Sequence, residues 1–280
     1  MRGTPYNTGD GFEIASRVGA RMIGDWEGCH STCWDANADA NQGKRGLTNQ
    51  LTKLGYPLGI MVNAQGERFV DEGEDFRNYT YAKFGRAILT QPGGFAFQIW
   101  DSKGIEMLRQ EEYGDGVVEK VYNETVQGLA ALLVERGLNP SAKDRLMETI
   151  QDFNKAVVAY HAQNPTANWN PAIKDNKGTT DLPLPKSNWA LAIDKAPLMA
   201  VKVTCGITFT FGGVAINPMT AGVINERGSE IAGLFATGEM VGGLFYGNYP
   251  GGSGLTAGAV FGRKAGKSAA RRAVEIVTVT

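Results

Sequence analysis

Gly233-Leu-Phe-Ala-Thr-Gly-Glu239 and Asn248-Tyr-Pro-Gly-Gly-Ser-Gly-Leu-Thr256 are the stretches whose reading decides the fold of this chain. Leu234 to Thr237 reads as a short buried strand. It ends at Gly238-Glu239, which places the Glu239 carboxylate at the C-terminal edge of a sheet, the usual ligand crevice of α/β folds. The cluster Gly251-Gly-Ser-Gly254 then opens a helix near Leu255. The first N–H groups of a helix lack intrahelical partners and attract anionic or electron-rich oxygens. Gly254, Gly258, Gly262 and Gly266 recur every four residues and share one face. Each costs roughly 1 kcal/mol against alanine, so a close approach by another backbone or by a ligand is expected to offset the loss. Tight helix-on-sheet packing without a ligand is the plainer alternative. Such spacing also occurs in membrane helices, but Arg263, Lys264, Lys267, Arg271 and Arg272 exclude a span here.

The rest of the composition is that of an average globular chain. It is 42% hydrophobic and 20% charged, with a formal net charge of −1, near ordinary usage. Nothing basic enough for nucleic acid is present, and no apolar run approaches the length of a membrane helix. Asp10 and Glu13 interrupt any signal-peptide pattern at the N-terminus. Three cysteines, Cys29, Cys33 and Cys205, are sparse and odd in number, which fits a reducing, cytoplasmic compartment. Cys29 and Cys33 flank His30, but their spacing and the lack of a second pair make no metal site.

Hydrophobic periodicity gives the elements. Phe12, Ile14, Ala15 and Val18 predict a helix after Thr8-Gly-Asp-Gly11 that ends near Gly19. Gly59 to Val62 and Glu67 to Val70 predict a β-hairpin whose turn contains Gly66. Asn78 to Leu89 predicts a helix and Gly94 to Trp100 a strand. Leu146, Ile150, Phe153, Val157 and Tyr160 share a face of the clearest helix, which begins at Pro140-Ser141 and packs into the core. Asn164 to Ser187, rich in Pro, Asn, Lys and Thr, predicts a long surface loop. Val214 to Ile216, Gly222 to Ile224 and Ile231 to Phe235 predict a three-stranded meander.

The glycine-rich C-terminal stretches, continued by Phe261-Gly-Arg-Lys-Ala-Gly266, resemble the flavin segment of the fumarate reductase/succinate dehydrogenase flavoprotein family. Within it the chain is more similar to tricarballylate dehydrogenases. Arg2-Gly-Thr-Pro-Tyr-Asn-Thr-Gly-Asp-Gly11, Arg68-Phe-Val-Asp-Glu72, Arg77-Asn-Tyr-Thr-Tyr-Ala-Lys-Phe-Gly-Arg86, Pro185-Lys-Ser-Asn-Trp-Ala190 and Lys202-Val-Thr-Cys-Gly-Ile-Thr-Phe-Thr-Phe-Gly-Gly213 carry that likeness. It runs from residue 2 to about 270. Members of the family open with a Gly-x-Gly-x-x-Gly fingerprint that receives the flavin diphosphate, and none is found here. The resemblance therefore implies an α+β chain: a substrate-capping domain plus the C-terminal remnant of an FAD-binding α/β domain, with the N-terminal Rossmann half absent. Residues 1–28 and 208–280 would be flavin-domain segments and residues 29–207 the cap.

The resemblance also implies a chemistry: hydride exchange between flavin N5 and a C–C bond of a tricarboxylic or dicarboxylic acid, the difficult step supplied by the cofactor. Arg77 matches the family arginine that moves the proton, one residue out of register. With a pKa above about 12 it needs a relay partner, for which Glu72, Glu74 and Asp75 are the neighbours in sequence. His30 matches a substrate-binding histidine. Thr208 stands where a second family histidine stands, and Tyr249 where an arginine clamps a carboxylate. A phenol donates one hydrogen bond in place of a bidentate fork, which disfavours succinate or fumarate and favours tricarballylate-like acids. Tyr249-Pro-Gly251 also resembles 3-ketosteroid dehydrogenases, where a tyrosine polarises a ketone. For the cofactor, Asp10 matches a flavin-contacting aspartate and Glu239 the carboxylate on ribityl or ribose hydroxyls, while Gly254 and Leu255 would offer backbone N–H groups to the flavin pyrimidine edge. FAD is expected in the complete protein and only weakly, or not at all, on this chain alone. The implied partners are the small acid, the missing flavin half, a membrane-bound electron-transfer partner at the inner membrane, and a second copy. A non-catalytic remnant serving as a structural module is the competing class.

Overall fold

A computed structural model describes residues 2–39 and 45–279. In chain order the strands are β1 (Met22–Ile23), β2 (Cys29–Asp35), β3 (Ile60–Val62), β4 (Ala96–Trp100), β5 (Val121–Asn123), β6 (Leu198–Thr210), β7 (Gly213–Val214), β8 (Gly222–Ile224) and β9 (Glu230–Phe235). The helices are α1 (Asp10–Arg17), α2 (Thr48–Leu51), α3 (Arg77–Leu89), α4 (Ser102–Ile105), α5 (Gln110–Tyr113), α6 (Val126–Val134), α7 (Lys143–Gln163) and α8 (Ser253–Val279). The architecture is mixed helix and sheet. The chain divides into two units, one of residues 1–2 and 31–206, the other of residues 3–30 and 207–280.

The larger unit is built on a sheet with the order β2-β6-β4-β3, with β5 also pairing β6. The recorded registers along β3, β4, β5 and β6 are antiparallel. Because side chains alternate across a strand, β4 feeds two cores at once. Phe97 and Ile99, with Ile60, Val62, Leu198 and Ala200, pack with Leu129 and Leu133 of α6 and Leu146, Ile150, Phe153 and Val157 of α7. Ala96 and Trp100, with Met61, Met199, Val201 and Val203, pack with Phe84 and Ile88 of α3. Gly94 to Trp100 alternates as a half-buried strand would, yet all five residues of β4 are buried because both faces are covered. The one polar residue inside it, Gln98, is buried and satisfied: its Nε2 donates to Lys53 O at 2.9 Å and its Oε1 accepts from Tyr113 Oη at 2.7 Å.

Helix α7 follows its sequence signals. Asn139 Oδ1 accepts from Ser141 N at 3.1 Å and caps the 3-10 turn Pro140–Ala142 that leads into α7, and the apolar stripe is buried. Tyr160 is the exception at the stripe's end. It is half-buried and its hydroxyl donates to Asn176 O. The predicted loop 164–187 has no regular structure, yet it is not all surface. Lys186 is fully buried and its Nζ donates to Pro57 O at 2.8 Å and Gly59 O at 2.6 Å.

The hairpin expected at 59–70 keeps its turn but not its second strand. Gly66 has φ of 73°, which only glycine adopts freely, and Asn63 N donates to Glu67 O at 2.9 Å. Beyond one bridge, Val62 to Arg68, the return arm leaves the ladder. β3 pairs with β4, and the Arg68 side chain turns inward to meet Glu72.

The smaller unit has a slight core of Ala15, Ala20, Val214 and Val223, with Met22, Ile216, Ile231 and Leu234 packed against it. The expected meander is broken up. β7 pairs with β1, β8 with β9, and Ile216 to Val223 is a single bridge between the two pairs. β9 is largely exposed rather than buried and stops at Phe235, so Glu239 lies beyond it in a short 3-10 turn, Gly238–Met240. Beyond Gly254 the glycine stripe of α8 is not closely approached. A side chain at Gly258 or Gly266 would meet nothing within 4 Å, and one at Gly262 only Thr237 at 3.8 Å.

Two buried lysines make the stability of the larger unit depend on pH. Burial pulls both Lys53 and Lys186 down to about 8, against the opposing pull of Asp35 and Glu72 respectively. Between pH 8 and an ordinary lysine value of 10.5 the unfolded chain binds more protons than the folded one, so stability rises with pH. The rise is cut off from above. Burial raises the Cys33 thiol and the Tyr56 and Tyr113 phenols, so unfolding becomes favoured as those groups ionise in the open chain. Urea denaturation should therefore show a gain of roughly 1–2 kcal/mol from pH 8 to pH 9. Lys186→Met should remove about half of that gain, and an unchanged slope would place the pH response elsewhere.

Candidate active site

Each unit carries part of the expected chemistry. In the smaller unit the ends of β2 and β6 and the entry to α8 supply the residues. His30 is buried; its ring stacks on Phe209 at 5.0 Å and meets Tyr249 edge-on at 4.3 Å. Tyr249 also packs against Phe211 and Phe245. Thr208, half-buried, lies next to Phe209 on β6. The sequence flagged His30, Thr208 and Tyr249 but not the phenylalanines. Phe209 and Phe211 sit two apart in Thr-Phe-Thr-Phe, a period-2 signal that could have put both on one face.

A cavity of about 220 Å3 opens beside this cluster, lined in part by Phe209, Glu239, Phe245, Tyr249, Gly254 and Leu255. Three of the four residues expected to hold the cofactor thus share a wall with Tyr249. Glu239 is exposed, and its Oε2 accepts from Asn7 Nδ2 at 2.7 Å. Asp10 starts α1, is exposed, and accepts from Thr8 Oγ1 at 3.1 Å. It does not line that cavity.

One detail differs from expectation. The Gly254 N–H is not open to a ligand, because it donates to Tyr249 Oη at 2.7 Å. A side chain at Gly254 would meet the same oxygen at 2.6 Å, so glycine is needed there for the phenol and not for helix packing. Leu255 is 85% exposed and stands at the cavity's lining.

Arg77 belongs to the other unit. It is the first residue of α3, is half-buried, and lines a larger cavity of about 540 Å3. None of its expected relay partners is available. Glu72 is gripped by Arg68 and accepts from Met61 N at 2.7 Å; Glu74 pairs with Lys83; Asp75 pairs with Lys174 at 3.2 Å. The carboxylate facing Arg77 is Glu112 of α5, on the wall of the same cavity. Burial holds the Glu112 carboxyl above the usual range, with Arg109, Arg77 and Lys53 opposing that rise. Its Oε2 accepts from Leu54 N at 2.7 Å and its Oε1 from Arg109 Nη1 at 3.0 Å. Sequence could not find Glu112, which is 35 residues from Arg77 and reaches it only through the fold. Among the described residues no group of three His, Cys, Asp or Glu could hold a metal ion, and no helix is long and apolar enough to cross a membrane.

A glycine-rich helix entry beside a carboxylate and an aromatic wall is the arrangement of a domain that grips a flat, hydroxyl-bearing cofactor. The chain belongs to the FAD binding domain family, whose profile matches residues 1–255, and so to a family of FAD-dependent oxidoreductases. It is 34% identical over 275 residues to a probable fumarate reductase of Shewanella frigidimarina, covering 96% of this chain and 39% of that protein. A 4-oxocyclohex-2-ene-1-carboxylate 5-dehydrogenase of Sinomonas cyclohexanicum is 30% identical over 246 residues, covering 82% and 39%. Among solved structures, the open conformation of a flavocytochrome c3 fumarate reductase superposes with a TM-score of 0.62 at 29% identity, covering 97% of this chain and 42% of that one. The chain thus spans about two fifths of the length of these relatives. The smaller cavity lies below the roughly 300–1,000 Å3 of a whole small-molecule site, so the residues here fit one part of FAD, a ring or sugar portion.

Proposed function

We propose that the protein carrying this chain is an FAD-dependent oxidoreductase that adds or removes hydrogen across a C–C bond of a carboxylic acid, with a tricarballylate-like acid as the aliphatic candidate. Bound FAD would supply the hydride chemistry. Glu239, exposed beside the cavity, would accept from its hydroxyls. Arg77 would hold or move a proton at the carbon next to the reacting one, with the Glu112 carboxylate on the wall of the same cavity. His30, Thr208 and Tyr249 would position the substrate. The observation that supports this best is the gathering of Tyr249, Glu239 and Gly254 around one cavity, with His30 packed on the tyrosine ring.

A second reading, a ketone-bearing substrate, is favoured by the geometry of Tyr249. Its oxygen already accepts from the Gly254 N–H, so the hydroxyl proton is left to donate. An accepted hydrogen bond polarises the donated one and strengthens it, which suits a carbonyl oxygen. The Sinomonas relative, named for an oxo acid, carries both groups. Tyr249→Phe separates the roles. It should cost about 0.5–1.5 kcal/mol of stability through the lost Gly254 partner. Loss of a donor to a charged or polarised oxygen, worth about 1.5–3 kcal/mol, should lower kcat/KM roughly 10- to 100-fold. Steady-state assays on tricarballylate, a cyclic keto acid and succinate decide the matter; unchanged kinetics on all three would leave Tyr249 a brace for its turn.

A further inference from the structure

The larger cavity is walled in a way the proposed reaction does not require. Besides Arg77, Arg109 and Glu112 it is lined by Phe76, Tyr79, Trp169 and Trp189. Trp189 is held there under strain. Its φ is 55°, a left-handed value that bulky residues rarely adopt. Hydrogen bonds fix it in place: its N donates to Asp175 Oδ1 at 2.9 Å, and its Nε1 to Asn170 O at 3.0 Å and Ile173 O at 2.9 Å. The neighbouring Asn188 Nδ2 ties the segment to Gly73 O at 2.7 Å. The motif Pro185-Lys-Ser-Asn-Trp189 therefore serves to present an indole to this cavity.

Two polar groups on the same wall make no side-chain hydrogen bond or ion pair among the described residues, although the Glu112 carboxylate lies near one of them. Arg77 makes no ion pair or hydrogen bond among the described residues, whereas Arg109 is taken by Glu111 and Glu112. Trp169 Nε1 is buried and has no hydrogen-bond partner among them either. A buried donor left unpaired costs about 1–3 kcal/mol, and a guanidinium is shaped to receive a carboxylate.

We propose that this cavity binds a monocarboxylic acid whose carboxylate is attached to an apolar six-membered ring, aromatic or alicyclic. The carboxylate sits against Arg77 and takes the Trp169 N–H, and the ring lies among Trp189, Phe76 and Tyr79. The buried Glu112 carboxylate on the same wall repels a second carboxylate, which sets a ring monoacid apart from aliphatic tricarboxylates. A volume of about 540 Å3 is within the usual range for small ligands. The inference rests on the function proposed above in taking Arg77 to stand beside the substrate, and it names a ring-bearing acid, in place of the tricarballylate-like one, as the substrate class.

The test is binding to the 280-residue chain, with no flavin and no turnover, so it can fail while the redox reading stands. Cyclohexanecarboxylate and benzoate are titrated by calorimetry and by tryptophan fluorescence, alongside methyl cyclohexanecarboxylate and tricarballylate. The ring acids should bind and quench fluorescence, with the ester and tricarballylate at least about tenfold weaker. Arg77→Gln should weaken the ring acids at least tenfold, Arg77→Lys less, and Trp169→Phe several-fold, each with an unchanged melting temperature. No binding of the ring acids, equal binding of the ester, tighter binding of tricarballylate, or full affinity in folded Arg77→Gln would overturn the proposal.

Discussion

Glu72→Ala should lower the unfolding free energy by about 3–5 kcal/mol, the cost of stranding one member of a buried ion pair. Glu72 is wholly inaccessible and Arg68 nearly so. Glu72 accepts from Arg68 through both oxygens, and one of them also accepts from Met61 N at the edge of β3. Arg68 in turn donates to Leu184 O at 2.8 Å and to Pro185 O at 3.2 Å, and its guanidinium lies 5.2 Å from the Phe153 ring centre. Removing the carboxylate leaves a cation among apolar groups and an N–H without its acceptor. Glu72→Gln keeps an acceptor for Met61 and should cost less. Urea titrations of the two variants measure the difference, and equal losses would assign the cost to packing rather than charge.

Arg77→Ala should reduce turnover at least about 10²-fold in the enzyme that carries this chain, the low end for a lost acid–base group. Glu112→Gln should produce a smaller fall and shift the pH–rate profile, since it alters the field at Arg77 without touching the substrate. The two kinetic profiles discriminate. Near-wild-type turnover in Arg77→Ala would remove it from the mechanism, and an unmoved profile in Glu112→Gln would make that acid structural. Leu54 N and Arg109 depend on Glu112, so circular dichroism of the variant is the necessary control.

The elements that could be read from sequence are those whose signal is local. The apolar stripe of α7, the run in β4 and the helix from residue 77 all stand close to where periodicity puts them. Pairing was less legible. The arm 67–70 looks like a strand, but its fate depends on an arginine finding Glu72 four residues on, which no alternation pattern encodes. The same holds for the site. His30, Tyr249 and Glu239 could be named from motifs, whereas Glu112 and Trp169 become partners of the Arg77 cavity only through α5 and the irregular segment after α7. Gly254 is legible as a site glycine from its motif, but the service of its N–H to the tyrosine five positions earlier is not.

The two tryptophans of the cavity differ in how freely they can be exchanged over generations. Trp189 is locked to Lys186 and Asn188, which brace the turn at 57–59 and Gly73, so altering it disturbs the foundations of the larger unit. Trp169 stands in the irregular stretch 164–178, is only half-buried, and its Nε1 makes no hydrogen bond among the described residues. Drift at Trp169 and its neighbours can therefore retune which acids are admitted while the fold pays almost nothing, and divergence among descendants of this chain should accumulate on that side of the cavity first.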